Sequence, residues 1–266
     1  MFVREPAVAG TFYPSSPAAL RDFFAKEMPD VKKKISAKAI VVPHAGYTYS
    51  GDTAAKVFSN VEITGTVILM GPNHTGEGVP FSVDRGSVWR TPLGEVQVDN
   101  DLADQIIASS PHFESDNISH RKEHSLEVEI PFLQHLKPDV QIVPITVGTD
   151  LIRAARSVAD GLAKVLKGKN VMIIASTDLN HYEPQIISEQ KDKAAIDAVL
   201  KLDAELLHER VRDDHISMCG YIPTYIMLRA VKQLGAKTAT LIDYHTSGAV
   251  SGDFSQVVGY AGIIIV

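Results

Sequence analysis

Short apolar runs rich in β-branched residues recur at 39–42, 66–70, 141–147, 170–175, 238–242 and 259–266, and segments of helical period separate most of them. Runs of this kind read as strands buried on both faces, and the intervening helices cover a shared sheet. The pattern therefore dictates an α/β layered fold. Periodicity does not fix strand direction, so the sheet is expected to be mixed rather than purely parallel. Helices are predicted at 17–28, 51–58, 101–108, 151–166, 188–199 and 222–234. Residues 79–98 alternate around turn residues, which predicts a β-hairpin inserted after the second strand, covering a sheet edge or walling a cleft. No long Pro/Gly/Ser linker, low-complexity tract or solenoid repeat interrupts the chain, so a single domain over 1–266 is the economical expectation.

Charge narrows the partners. The formal net charge is −6 and the one basic cluster, residues 32–34, lies beside helix-like sequence, where it reads as a solvated helix end. No nucleic-acid partner is expected. The N-terminal "MFVREPAVAG" has no long apolar core, and no window reaches the ~18 apolar residues of a membrane span, so a cytoplasmic protein without a membrane partner is expected. The single cysteine, Cys219, excludes an intramolecular disulfide and fits a reducing compartment.

Polar residues of catalytic type follow the apolar runs repeatedly. "VVPHAGYTYSG" delivers His44, "VILMGPNHTG" His74, "VMIIASTDLNHYE" Asp178 and His181, and "TLIDYHTSG" Asp243 and His245. In open α/β sheets the crevice beyond the carboxyl ends of the strands is the usual ligand site, so these ends are expected to converge. His44 and His74, each beside glycine, form a pair of imidazoles able to bind one iron, zinc or copper ion. His181 reads either as a third ligand or as a general base. Asp178 orients His181, binds a polar substrate group or caps a local turn. Tyr47 and Tyr49 line the entrance or pack beside it.

Two further residues keep alternative readings. His124 precedes a helical stripe of Leu126, Ile130 and Leu133 that Pro131 interrupts. There Ser125 reads as an N-cap and Glu127 as a first-turn acid, with His124 either at the helix end or projecting into a cleft. Cys219, in "ISMCGYIPTYIML", is a small buried hydrophobe, a soft metal ligand or a nucleophile. Neither a Gly-x-Ser-x-Gly elbow, a Gly-Lys-Ser phosphate loop nor a Gly-x-Gly-x-x-Gly fingerprint is present, which removes support from serine-hydrolase, P-loop and dinucleotide readings.

Seven motifs in order, "REPAVAGTFYP" at 4–14, "PHAGYTYSG" at 43–51, "GPNH" at 71–74, "WRTPLGEVQVD" at 89–99, "EHSLEVEIPFLQ" at 123–134, "STDLNHY" at 176–182 and "MCGYIP" at 218–223, together resemble the Memo family. Its prokaryotic members are called AmmeMemoRadiSam system protein B, and the family is similar to class III extradiol dioxygenases. The resemblance implies a three-layer α/β/α sandwich around a mostly mixed central sheet. It also implies a metal site at His44, His74 and Cys219, with Cys219 where the dioxygenases carry a carboxylate. Fe(II) is the implied ion, with copper or zinc as alternatives. His181, His124 and Asp178 match catalytic cleft positions, and Arg90 either binds an anionic substrate group or pairs with an acid. Tyr49 is the other substrate-binding candidate.

The reading that follows is a non-haem metal-dependent redox enzyme of unknown substrate. A non-catalytic cleft-binding or signalling module is the first alternative and a zinc-dependent hydrolase the second. The resemblance further implies a small molecule or peptide in the cleft, and AMMECR1-domain and radical SAM proteins as associates.

Overall fold

Hydrogen bonding joins all the expected apolar runs into one sheet with a parallel centre. The computed structural model describes residues 2–266. Its strands are β1 (Phe2–Arg4), β2 (Ala39–Val42), β3 (Thr66–Pro72), β4 (Phe81–Val83), β5 (Ser87–Thr91), β6 (Gly94–Val98), β7 (Glu114–Ser115), β8 (Gln141–Val147), β9 (Val171–Ser176), β10 (His181–Glu183), β11 (Ala239–Thr246) and β12 (Val257–Ile265). Its helices are α1 (Pro17–Glu27), α2 (Tyr47–Asn60), α3 (Asn100–Ser109), α4 (Ile130–Leu136), α5 (Ile152–Leu166), α6 (Gln185–Leu200), α7 (Ala204–Asp213), α8 (Tyr221–Gln233) and α9 (Gly248–Ser251).

Strands β6, β8, β3, β9 and β2 run parallel in that spatial order. The long β12 closes the parallel block antiparallel to β2 and also pairs with β10 and β11. The sheet is therefore mixed. α1, α2 and α4 pack among themselves, as do α3, α5, α6, α7 and α8, and β2 touches both α2 and α8, which places a helical layer on each face. Burial on both faces explains why β2 reads as an uninterrupted apolar run, with all four residues inside.

The hairpin expected over 79–98 is β5 and β6, closed by Pro92 and Leu93 between the paired Thr91 and Gly94. It pairs with β8 on one side and β1 on the other, so it extends the sheet rather than capping it.

Helix boundaries depart from expectation where tertiary contacts act. α2 starts at Tyr47 rather than at residue 51, because Tyr47 donates its N–H to the Phe12 carbonyl and its hydroxyl to the Val128 carbonyl, holding the first turn in place. The segment around Pro131 forms a 3-10 turn, Glu127–Glu129, that runs into α4 with Pro131 in the first turn, where its missing N–H costs nothing. No helix among the described residues is long and apolar enough to cross a membrane.

The N-terminal arm is tied to the 120s by a buried ion pair. Arg4, 1% exposed, pairs with Glu127, which is fully buried and also accepts from the N–H groups of Ala7 and Val8 and from the Tyr13 hydroxyl. Glu127 is thus the anchor of the arm and not the helix-dipole acid the sequence suggests. Arg4 also donates to the carbonyls of His120 and Glu123 and lies over the Trp89 ring.

Removing one partner of such a pair leaves a buried charge. Arg4→Met is expected to lower the unfolding free energy by about 3–5 kcal/mol in urea denaturation. A loss below about 1 kcal/mol would show that the arm is not anchored through this pair.

Candidate metal centre

Three adjacent parallel strands, β3, β9 and β2, end on the same edge of the sheet and deliver His74, Asp178 and His44. The register pairs Val42 with Ser176, which puts the His44 ring beside the Ser176 hydroxyl, with Nδ1 2.9 Å from Oγ. The other ring nitrogen, Nε2, lies 3.3 Å from Cys219 Sγ. Cys219 reaches this point because α8 starts against the end of β9. A Cβ on Gly220 would lie 2.5 Å from Thr177 Cβ and 2.6 Å from the Ser176 carbonyl oxygen, so only glycine permits the approach.

His74 is set by Glu123, a residue the sequence reading passed over. The buried Glu123 carboxylate accepts from His74 Nδ1 at 2.8 Å and from the backbone N–H groups of His74, His124 and Ser125. The Ser125 hydroxyl donates to the Pro72 carbonyl and does not cap a helix, correcting its expected role. One donor atom each from His44, His74 and Cys219 lie within 4.8 Å of one another. His124 stacks on His74 with ring centroids 4.5 Å apart, and Phe12 packs against its ring at 4.6 Å. His44, His74, His124 and Cys219 thus form one group, and Phe12 walls it.

The expected catalytic and substrate residues fall differently. Asp178 is at the site, but its carboxylate accepts from the His44 backbone N–H at 2.8 Å and so holds the His44 loop instead of orienting His181. His181 is oriented by the Ser217 carbonyl, 2.9 Å from its Nδ1, and its ring is near enough for charge on His44 and His181 to repel. The exposed Arg90 pairs with Glu5 and Glu95 and makes no polar contact with the histidine group, the pairing alternative of its two readings. Tyr49 is exposed; its carbonyl accepts from His245 Nε2 at 2.8 Å, and no polar contact ties its side chain to the donor set.

Asp243 and His245, expected to join the same convergence, form a separate group with Asp52. Its atoms are already engaged: Lys56 and Thr53 hold the two Asp243 oxygens, and the Tyr49 carbonyl takes His245 Nε2. This group lines a cleft of about 810 Å³ together with Phe12, Phe23 and Tyr47. His44, His74 and Cys219 lie outside that lining, and Phe12 is the wall the two places share.

Burial sets the protonation states. It lowers His44 far below the ordinary histidine value, with His124 and His74 adding to the effect, and it also lowers His124 and His181. These rings are neutral at physiological pH, as metal ligands and proton acceptors must be. Burial and nearby Asp178 push the Cys219 thiol up to about 12, and burial raises Asp178 to about 7. Burial alone would raise Glu123 too, but the hydrogen bonds from His74 and Ser125 outweigh it and bring Glu123 down to about 2.

A profile of the family described as "Memo-like protein" matches residues 4–264. The chain is 42% identical over 268 residues to a MEMO1 family protein of Aquifex aeolicus, with 99% of each covered. It is also 43% identical over 266 residues to a MEMO1 family protein of Archaeoglobus fulgidus, covering 98% of this chain and 99% of that one. Among solved structures it is similar to the uncharacterized protein JW3007 from Escherichia coli K12, with a TM-score of 0.52 and 14% identity over 85% of this chain and 98% of the other. That likeness concerns the fold alone.

A carboxyl held at about 2 against an ordinary 4.5 stabilises the fold by about 3 kcal/mol, present above pH ~4.5 and lost as the pH falls through ~2. Glu123→Gln should therefore be less stable than the parent by about 3 kcal/mol near pH 7, with the gap closing as the pH falls from ~4.5 towards ~2. Denaturant titrations across that range check it; a gap independent of pH would contradict the assignment.

Proposed function

The chain belongs to the Memo-like family, and on that premise we propose that it is a metal-dependent redox protein in which His44, His74 and Cys219 hold one iron(II) ion, copper being the alternative occupant. The observation that carries this reading is the donor set. Metal–ligand bonds of about 2.0–2.3 Å place ligand atoms roughly 3.3–3.8 Å apart in a tetrahedral site. The 3.3 Å between His44 Nε2 and Cys219 Sγ already matches that spacing, and the His74 donor needs only a small inward shift from within 4.8 Å. Each ligand imidazole has Nδ1 engaged, by Ser176 or Glu123, which leaves Nε2 for the ion.

When bound, the ion supplies Lewis acidity and one-electron chemistry at its open coordination positions. The surrounding residues do the rest. Cys219 must give up its proton to ligate, so metal uptake releases about one proton per chain. His181, with Nδ1 committed to Ser217, retains Nε2 as its proton acceptor, and His124 stays neutral beside His74. A thiolate where the dioxygenases carry a carboxylate changes the softness of the site, so the redox reading extends to metal chemistry and not to ring cleavage. A cytoplasmic setting, where the thiol stays reduced, is part of the same reading.

A second reading, recognition of a peptide or small molecule without turnover, is favoured by the aromatic and charged cleft beyond Phe12. Substrate turnover that depends on His181 would decide against it.

Protein prepared without oxygen and reconstituted with ferrous iron should bind about one ion per chain with release of about one proton. The doubly substituted His44→Ala, His74→Ala protein should bind almost none. Equal iron in both, measured by elemental analysis after gel filtration, would remove the metal assignment.

A further inference from the structure

Behind His44, on the side away from Cys219, a single hydroxyl has three partners. Ser176 Oγ lies 2.9 Å from His44 Nδ1, 2.7 Å from the Ser125 carbonyl oxygen and 3.0 Å from Glu129 Oε1. A serine hydroxyl has one proton to give and two lone pairs to receive. The Ser125 carbonyl only accepts, and at the shortest of the three distances it takes the hydroxyl proton. The other two contacts are then hydrogen bonds only if His44 Nδ1 and Glu129 Oε1 each bring a proton of their own.

We propose that Glu129 is a neutral carboxylic acid in the native protein, donating to Ser176, and that Ser176, its own proton committed to Ser125, is the positioning residue that fixes His44 in the Nδ1–H tautomer, with Nε2 turned to Cys219. The place of Ser176 behind a metal ligand rests on the reading of His44 given above, but the protonation of Glu129 does not.

Three further observations agree. Glu129 is fully buried, and its second oxygen, Oε2, has no hydrogen-bond partner among the described residues. An ionised carboxylate with one oxygen unpaired and the other against a hydroxyl lone pair carries the full desolvation penalty of a buried charge, whereas a neutral acid does not. Burial is also the main influence raising the Glu129 pKa well above the carboxylate range, and Asp178, of like sign, adds to it; a bond donated by Ser176 would oppose the rise, but that proton goes to the Ser125 carbonyl.

An ionised Glu129 would force Ser176 to turn its proton away from Ser125 and strand a buried carbonyl. Even then His44 Nδ1 would have to be the donor, so the tautomer and the acid proton are separately measurable. The contrast with Glu123 is instructive, since that carboxylate receives N–H donors from several groups and is ionised, while Glu129 receives none from the backbone.

Infrared difference spectra of the metal-free protein near pH ~7, parent minus Glu129→Gln, test the proposal. The parent should show the C=O stretch of a protonated carboxylic acid that the variant lacks, and a carboxylate signal in its place overturns the assignment. Nitrogen NMR of the parent alone, which needs no variant, should show His44 protonated on Nδ1; a proton on Nε2 overturns the positioning role. Glu129→Gln keeps an N–H donor towards Ser176 and should bind ferrous iron within about threefold of the parent, while Ser176→Ala should bind it about 10–100-fold more weakly. Equal affinity in Ser176→Ala would sink the positioning role. A protein that shows the acid band and the tautomer but takes up no iron keeps this inference and loses the metal reading.

Discussion

One buried carboxylate, Glu123, gathers the site. Its two oxygens receive the His74 ring and the backbone N–H groups of His74, His124 and Ser125, so the loop after β3 and the 120s segment meet on a single side chain. Its own carbonyl is held by Arg4, whose guanidinium pairs with Glu127, and Glu127 in turn fixes the arm that carries Phe12 to the His124 ring. Interior ion pairs of this kind contribute little net stability, but breaking one is costly, so they specify position more than they strengthen the fold. Here the position they specify is that of two histidines and their aromatic wall.

The protonation pattern follows from donor supply. Glu123 is rich in donors and is ionised; Glu129, a few residues on, has Ser176 as its single partner and is neutral; Asp178 accepts from the His44 backbone, and burial raises it to about 7. Three carboxyl groups in one interior thus take different charge states because their hydrogen-bond surroundings differ. The outcome suits a cation site: a neutral His44 ring, a thiol that ionises on ligation, and a limited number of standing negative charges beside them.

The architecture was legible because a sheet buried on both faces must write itself as apolar runs, and each of the expected runs is a strand. Strand ends carrying His44, His74 and Asp178 converge because their strands are adjacent and parallel, a fact periodicity does not contain. α7 escaped notice because its sequence is largely polar, although Asp203 caps its first turn by accepting from the Leu206 N–H. Glu123, Ser176 and Glu129 were not singled out for a different reason. Their roles depend on contacts with residues 47 to 132 positions away, and a buried carboxylate looks like a surface one in sequence. Arg90 shows the converse: an arginine inside a distinctive motif kept two readings in sequence, and the structure pairs it at the surface with Glu5 and Glu95.

The central claim is that two imidazoles and one thiolate meet at a single ion. X-ray absorption at the iron edge of the reconstituted protein measures this directly. The account predicts a first shell with one sulfur at about 2.3 Å and two imidazole nitrogens near ~2.1 Å, the sulfur disappearing in Cys219→Ser. A shell of oxygen and nitrogen alone in the parent protein would contradict it.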